Sequence, residues 1–204
     1  MSMLLGESAD RAAERLEACE LADRAIALGQ DSPTALFSGT TVLAHTCGEA
    51  KKAVQIGRRL VLAHPNSGYS HTVLGDALFQ AGAMDEAMRV LENAEKDFPG
   101  NIYISRYSPL YRSFVHTEQQ EWDEVVKISG TSLNLNPSSV FDMYILANAL
   151  GVLDRPDEAR AVWNQLLARF PRFTVENYQW YMKLGLITDE RVEPFVRGLE
   201  RAGL

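Results

Sequence analysis

Apolar residues recur three and four apart along most of this chain, in stretches separated by short polar breaks. Asp10 to Leu28 places Ala12, Leu16, Cys19 and Ile26 on one face with Ala22 beside it, the spacing of an amphipathic helix. Later stretches end repeatedly at proline. Pro65 and Pro99 are 34 residues apart, and so are Pro137 and Pro171. A proline just past a helix cannot continue it, so these four mark the ends of repeated helical units. The interval from Pro99 to Pro137 is 38, which places about four extra residues near Asn101 to Tyr107.

Residues at fixed offsets before each proline agree. Before Pro99 stand Leu74, Gly75, Leu78, Gly82, Ala87, Leu91 and Ala94; before Pro65 stand Thr40, Thr41, Ala44, Gly48, Ala53, Gly57 and Leu60. Before Pro171 they are Leu146, Ala147, Leu150, Asp154, Ala159, Trp163 and Leu166. Before Pro137 the first half fits poorly (Arg112, Ser113, His116, Gln120), and Val125, Ser129 and Ser132 follow. The period and the Leu-Gly, Gly, Ala, Ala, Pro pattern resemble the tetratricopeptide repeat, a 34-residue helix–turn–helix unit, best over Ser67 to Gly100.

Local chemistry supports the reading. Ala87 and Ala94 lie on one helical face and let two helices approach closely. Gly82 falls where a left-handed residue ends a helix. Asp85-Glu86, Asp123-Glu124 and Asp157-Glu158 open the second helices, where carboxylates complement the dipole. Ser67 and Ser138 suit the N-caps of first helices. The expected fold is all-α, one right-handed α-solenoid over residues 1–204. It comprises an N-terminal capping helix at 8–30, repeats at 31–66, 67–100, 106–138 and 139–172, and C-terminal capping helices at 173–204, about eleven helices in all. The cap contains two helical stretches, Val175 to Leu184 and Asp189 to Arg201, to cover the apolar end of the array.

Composition narrows the function classes. The 204 residues are 46% hydrophobic and 23% charged, with a net charge of −7. An acidic balance offers no footprint for nucleic acid or an anionic membrane surface. No window reaches the roughly 18 apolar residues of a membrane span. Met1 to Glu20 carries only the short apolar stretch Met3 to Leu5, unlike a secretory signal. These features place the chain in the cytoplasm, with Cys19 and Cys47 as reduced core thiols. The recurring Asp-Glu pairs sit at one repeat position, and adjacent helical residues do not face each other, so they read as solvated helix starts. His45, His64, His71 and His116 lack metal-ligand spacing, and His71 reads as a packed ring. No nucleophile elbow or phosphate loop is present. The chain is read as non-enzymatic, with no metal and no cofactor.

In arrays of the resembled family, positions two, five, nine, twelve and thirteen of each unit line the concave face. Carried over, these give Ala35, Ser38, Val42, His45 and Thr46; then Tyr69, Thr72, Asp76, Phe79 and Gln80. The third unit gives Tyr107, Leu110, Phe114, Thr117 and Glu118, and the fourth Phe141, Tyr144, Asn148, Gly151 and Val152. The face is aromatic and nearly free of cations. Only Asn148 falls on the positions that hold acidic chaperone tails in some members, which argues against that role. Aromatic anchors suit a peptide or protein partner, with Tyr69, Thr72, Asp76, Phe79, Tyr107, Phe114, Phe141, Tyr144 and Asn148 as candidate contacts. The competing reading has these rings covered by the chain itself, through Val175 to Leu184. A homodimer is the alternative function, and a small-molecule sensor using Asp76 or Glu118 against a cation is a third.

The extended third unit near Tyr107-Ser108-Pro109, the regular fourth unit and the closing Phe195 to Leu204 also resemble the C-terminal repeat region of bacterial class III adenylate/guanylate cyclases and related winged-helix regulators. Gly198-Leu199-Glu200-Arg201-Ala202-Gly203-Leu204 keeps most of their closing motif, with Glu200 at a place they fill with a basic residue. The resemblance implies the regulatory part of such a system. The cyclase domain and a DNA-reading domain are not in this chain.

Overall fold

The computed structural model describes residues 10–186 and 188–204. The expectation for Met3 to Leu5, and residues 8–9 of the N-terminal cap, lie outside them. The described residues form helices without strands. The first is α1 (Arg11–Leu28), started by Asp10, whose side chain accepts from the Ala13 N–H. Four antiparallel hairpins follow: α2 (Pro33–Val42) with α3 (Ala50–Ala63), α4 (Gly68–Gln80) with α5 (Met84–Asp97), α6 (Ile102–Glu118) with α7 (Trp122–Leu135), and α8 (Val140–Val152) with α9 (Pro156–Arg169). The chain closes with α10 (Val175–Leu186), the short α11 (Asp189–Val192), a 3₁₀ turn at Glu193–Phe195, and α12 (Arg197–Ala202).

The repeat chemistry has structural causes. Ala87 and Ala94 are 0% and 1% exposed, so the second helix of that unit lies flush on its neighbours. A Cβ at Gly75 would come within 2.6 Å of the Leu91 side chain, which is why that Leu-Gly step ends in glycine. The acidic pairs do occupy the first turns of α5, α7 and α9. Ser67 is the N-cap of α4. The α8 cap is Ser139, whose hydroxyl accepts from the Asp142 N–H. Ser138, expected there, instead accepts from Arg169.

Between the two helices of each hairpin the chain passes through one left-handed residue: Gly48 (φ 72°), Gly82 (φ 80°), Gln120 (φ 61°) and Asp154 (φ 57°). They stand at the same repeat position. Glycine occupies it twice, and a residue with a Cβ twice, where this backbone costs about 1 kcal/mol.

The four additional residues of the third unit are one extra helical turn. α6 has 17 residues against 13 in α4 and in α8, and one turn is about 3.6. The helix therefore begins at Ile102 rather than near residue 106. Pro109 sits inside it, where it removes one backbone donor. The other departure is α2, which runs on as a π-helical turn, Leu43–Cys47, before Gly48. Such turns insert one residue into the helical ladder, and this one carries His45 and Cys47.

Cys47 is bonded to Cys19 of α1, which corrects the reading of two free thiols. The spacing of 28 residues carried no disulfide signal, because proximity arises only when α1 folds back on the π turn. The bond also removes reduced thiols as support for a cytoplasmic placement. Arg15 reinforces the joint by donating to the carbonyls of Thr46 (2.8 Å) and Cys47 (3.1 Å).

Two outcomes are expected. Asp154→Gly, at an exposed left-handed position, raises the unfolding free energy by about 0.5–1 kcal/mol in urea denaturation. Cys19→Ser lowers it by about 3 kcal/mol, the loop-closure value for a ring of this size, and reduction of the wild-type protein produces the same loss.

Candidate functional site

The first helices of the four hairpins, α2, α4, α6 and α8, line one concave face, and the chain's own C-terminal segment lies in it. α10 runs from the fourth repeat toward the first. Its Tyr178 stacks on Tyr144 of α8 with centroids 3.6 Å apart, and its Tyr181 faces Phe141 at 6.2 Å and His45 of the π turn at 6.3 Å. The chain then turns back. Arg191 donates to the carbonyls of Phe79 and Gln80, each at 2.7 Å, and to both oxygens of Glu118 at 2.7 and 2.8 Å. Those carbonyls end α4, outside its regular ladder of N–H donors. Phe195 packs against both Phe79 (6.3 Å) and Phe114 (5.9 Å). Asn148 then clasps the tail, donating to Pro194 O and accepting from Gly198 N–H, each at 2.8 Å. A Cβ at Gly198 would overlap the Asn148 carbonyl, and one at Gly151 would overlap Gly198, so α12 meets α8 backbone to backbone. The first helix and α10 also meet: Arg11 donates to Asn177 at 2.5 Å and lies 4.7 Å over the Trp180 ring.

Of the two readings the sequence left open, an open trough and rings covered by the chain itself, the second holds over most of the candidate positions. Of the nine candidate contacts, Thr72, Asp76, Phe79, Tyr144 and Asn148 are at most 1% exposed and Phe114 is 3% exposed. Tyr178, Phe195 and the clasp at Gly198 occupy the space a partner would need. The expected cover, Val175 to Leu184, shares the task with α11 through α12. The cation expected for Glu118 is the chain's own Arg191. Tyr69, Tyr107 and Phe141 are only half-buried and remain on the surface of the face.

These three belong to a larger aromatic strip. Phe37 stacks on Tyr69 at 3.9 Å, Tyr69 meets Tyr103 at 4.5 Å, and Tyr103 meets Tyr107 at 4.5 Å, crossing α2, α4 and α6. Tyr107 then borders a cavity of about 210 Å³ between the hairpins and α10, lined also by Thr41, His45, Tyr111, Phe141 and Tyr181. Sequence reasoning passed over Phe37, Tyr103, Tyr111 and Tyr181. A signal for two of them existed, since Tyr103, Tyr107 and Tyr111 are four apart and share one helical face. It was hidden because the first of them lay in the supposed insertion.

At the cavity's edge His45 Nε2 and Asp76 Oδ2 are 2.7 Å apart, and the Gln80 side-chain nitrogen is 3.1 Å from His45 Nδ1. Burial works against protonating His45, but the charge and hydrogen bond of Asp76 outweigh it and raise its pKa. Burial, then the neighbouring phenol of Tyr107, lifts Tyr69 to about 12; burial and the charge of Asp76 do the same to Tyr181. Asp142, beneath α10, is fully buried, and desolvation raises it to about 6 although the hydroxyls of Ser139 and Ser132 pull it back in part. Among the described residues no group of His, Cys, Asp and Glu could hold a metal, and no helix is long and apolar enough to cross a membrane.

The fold is shared with known structures. A profile described as tetratricopeptide repeat matches residues 44–102, and a second of the same description matches 143–172. A thermophilic TPR protein of Thermus thermophilus superposes with a TM-score of 0.60 at 20% identity, covering 83% of this chain and 98% of its own. MamA (41-end) of Desulfovibrio magneticus RS-1 gives 0.53 at 14%, covering 81% and 94%. YrrB, described as a TPR protein with an unusual peptide-binding site, gives 0.51 at 13%, covering 89% and 90%. No curated protein sequence matches significantly.

Both raised pKa values make the fold less stable as pH climbs. Asp142 contributes stability that is full below its unfolded value near 3.8 and is lost as pH rises through about 6. His45 contributes stability that is full below about 6.5 and is lost as pH rises through its higher folded value. Urea midpoints measured at intervals from about pH 4 to about pH 9 are expected to fall in two stages. Asp142→Asn removes the first stage, a gain of about 2–3 kcal/mol at neutral pH, and His45→Gln removes the second. Two segments of the chain match the tetratricopeptide repeat, and its fold is that of solved tetratricopeptide-repeat structures.

Proposed function

We propose that this protein is a non-catalytic interaction module that binds a peptide or protein partner on the part of its concave face the tail leaves uncovered. The observation that carries the reading is the aromatic strip Phe37, Tyr69, Tyr103 and Tyr107 running into a ring-lined cavity. Half-buried rings of this kind present large, rigid contact area at small entropic cost, and tyrosine is enriched among residues that dominate binding energy. The partner contacts are therefore Tyr69, Tyr107 and Phe141 from the sequence reading, joined by Phe37, Tyr103 and Tyr181. Thr72, Phe79, Phe114, Tyr144 and Asn148 act on the partner only through the packing that shapes this surface. A peptide-binding site in YrrB, a protein of the same fold, supports the class of ligand.

The resemblance to cyclase and regulator tails rests on the closing motif, and that motif has a local physical role. Gly198 permits the clasp with Asn148, Leu199 and Ala202 are 0% and 1% exposed on α8, and Gly203 ends α12 at φ 70°. Any array that folds its tail back this way needs those residue types, so the motif by itself carries only this packing role, and the regulatory assignment is kept as the finer form of the proposal. A second copy of the chain is the alternative partner, favoured by Leu21 and Leu28 of α1, which are 53% and 85% exposed. Light scattering at high concentration separates a dimer from the 22.7 kDa monomer.

Peptides selected from a random library against the wild-type protein provide the test. Tyr69→Ala and Tyr107→Ala are expected to weaken the selected peptides at least about tenfold, the effect of losing one aromatic anchor, with melting temperatures unchanged. Peptides that bind wild type and both variants equally overturn the placement of the site.

A further inference from the structure

The cavity between the hairpins and α10 has a feature that apolar packing leaves unexplained. Asp76 is 1% exposed, and while its Oδ2 is held by His45, its Oδ1 has no hydrogen-bond partner among the described residues. Thr41 Oγ1, on the cavity wall one turn before His45, is also buried without such a partner. An orphaned buried acceptor is costly, and more so when it is charged. The cost is recovered when a donor arrives. Aromatic rings line the cavity, and such rings attract a cation over their faces within about 6 Å of their centres. Asp76 itself stands behind His45, outside the residues that line the cavity, and His45 is the lining group that links it to that space. Among the described residues no Lys or Arg lines the cavity.

We propose that this cavity is a binding site for an organic ammonium group, caged by Tyr107, Tyr111, Phe141 and Tyr181 with Asp76 as its counter-charge. The proposal rests on the interaction reading above and names the chemistry the site takes. A volume of about 210 Å³ admits one head group of the size of a lysine side chain or a choline. The ammonium comes either from a lysine of a bound peptide or from a free amine. In both cases the rings line the site and Asp76 supplies the counter-charge from behind His45.

His45 makes the site sensitive to protons. A protonated imidazole already neutralises Asp76, so an ammonium ligand competes with that proton. The other titratable groups facing the pair are Tyr103 and Tyr111 on α6 and Tyr181 on α10, all of which stay neutral up to about pH 8 because burial and Asp76 raise them. Glu118, on α6, is tied to Arg191, and Arg106 lies 5.6 Å from the Tyr107 ring centre. Ammonium affinity therefore rises with pH through the titration of His45.

The test is an NMR titration of the full chain with choline, with n-butylammonium, and with 3,3-dimethyl-1-butanol, the neutral isostere of choline. The ring resonances of His45, Phe141 and Tyr181 are expected to shift saturably with both ammonium ions. Choline binds about tenfold tighter than the alcohol, a difference set by its charge, and tightens several-fold as pH rises through the titration of His45. Asp76→Asn abolishes the preference for charge. Because Asp76 is buried, Tyr107→Ala at the half-exposed lip serves as the second variant, weakening choline several-fold at an unchanged melting temperature. A peptide carrying lysine is compared with its norleucine counterpart: a preference for lysine exceeding that for choline assigns the group to a protein partner, and the reverse assigns it to a free amine. Equal binding of the alcohol and choline overturns the proposal and leaves an apolar socket, with the peptide-binding reading intact. No saturable shift with either ammonium ion at tens of millimolar also overturns it.

Discussion

A row of four helical hairpins has an apolar stripe along its concave side, and leaving that stripe against water is the dominant cost the fold must avoid. Here the chain covers it from within. Tyr178 and Phe195 stand against Tyr144, Phe79 and Phe114, and the tail returns to the fourth repeat, where Asn148 holds two of its backbone groups. The backbone contact between Gly151 and Gly198 sets how closely α12 lies on α8. Everything else on the concave side, including the cavity, is the remainder after that covering.

The covering is polar as well as apolar, and this makes it specific. Arg191 satisfies carbonyls that end α4 and pairs with Glu118, whose side chain is 17% exposed. A charged group so placed costs desolvation unless paired, and the pairing ties the return of the tail to the second and third repeats. At the other end Arg11, the disulfide and Arg15 join α1 to α10 and to the π turn. The tail is thereby anchored in every unit of the array.

Much of this was legible in residue spacing. The period of 34, the Leu-Gly steps and the small residues at Ala87 and Ala94 are short-range requirements of two helices packing in one hairpin, so one unit displays them in order. Thr72, Asp76 and Tyr144 fall on the concave helices as their repeat positions require. Position along a helix gives the side a residue faces; it does not give what lies opposite. Tyr103 escaped notice for a related reason: the extra turn of α6 reads as an insertion, since helix length and loop length trade off at a fixed interval between prolines.

By itself, then, the sequence determined the helices, their pairing into hairpins and the stacking of those hairpins, because each depends on residues within one or two repeat lengths. Tertiary structure alone decided that Cys19 meets Cys47, that His45 pairs with Asp76, and that Phe79, Tyr144 and Asn148 bind the protein's own tail. Those contacts lie outside the hairpin pairing, joining α1 to the π turn, the first unit to the second, and the returning tail to α4 and α8. Their partners are chosen by where a returning chain comes to rest, and no local spacing encodes that path.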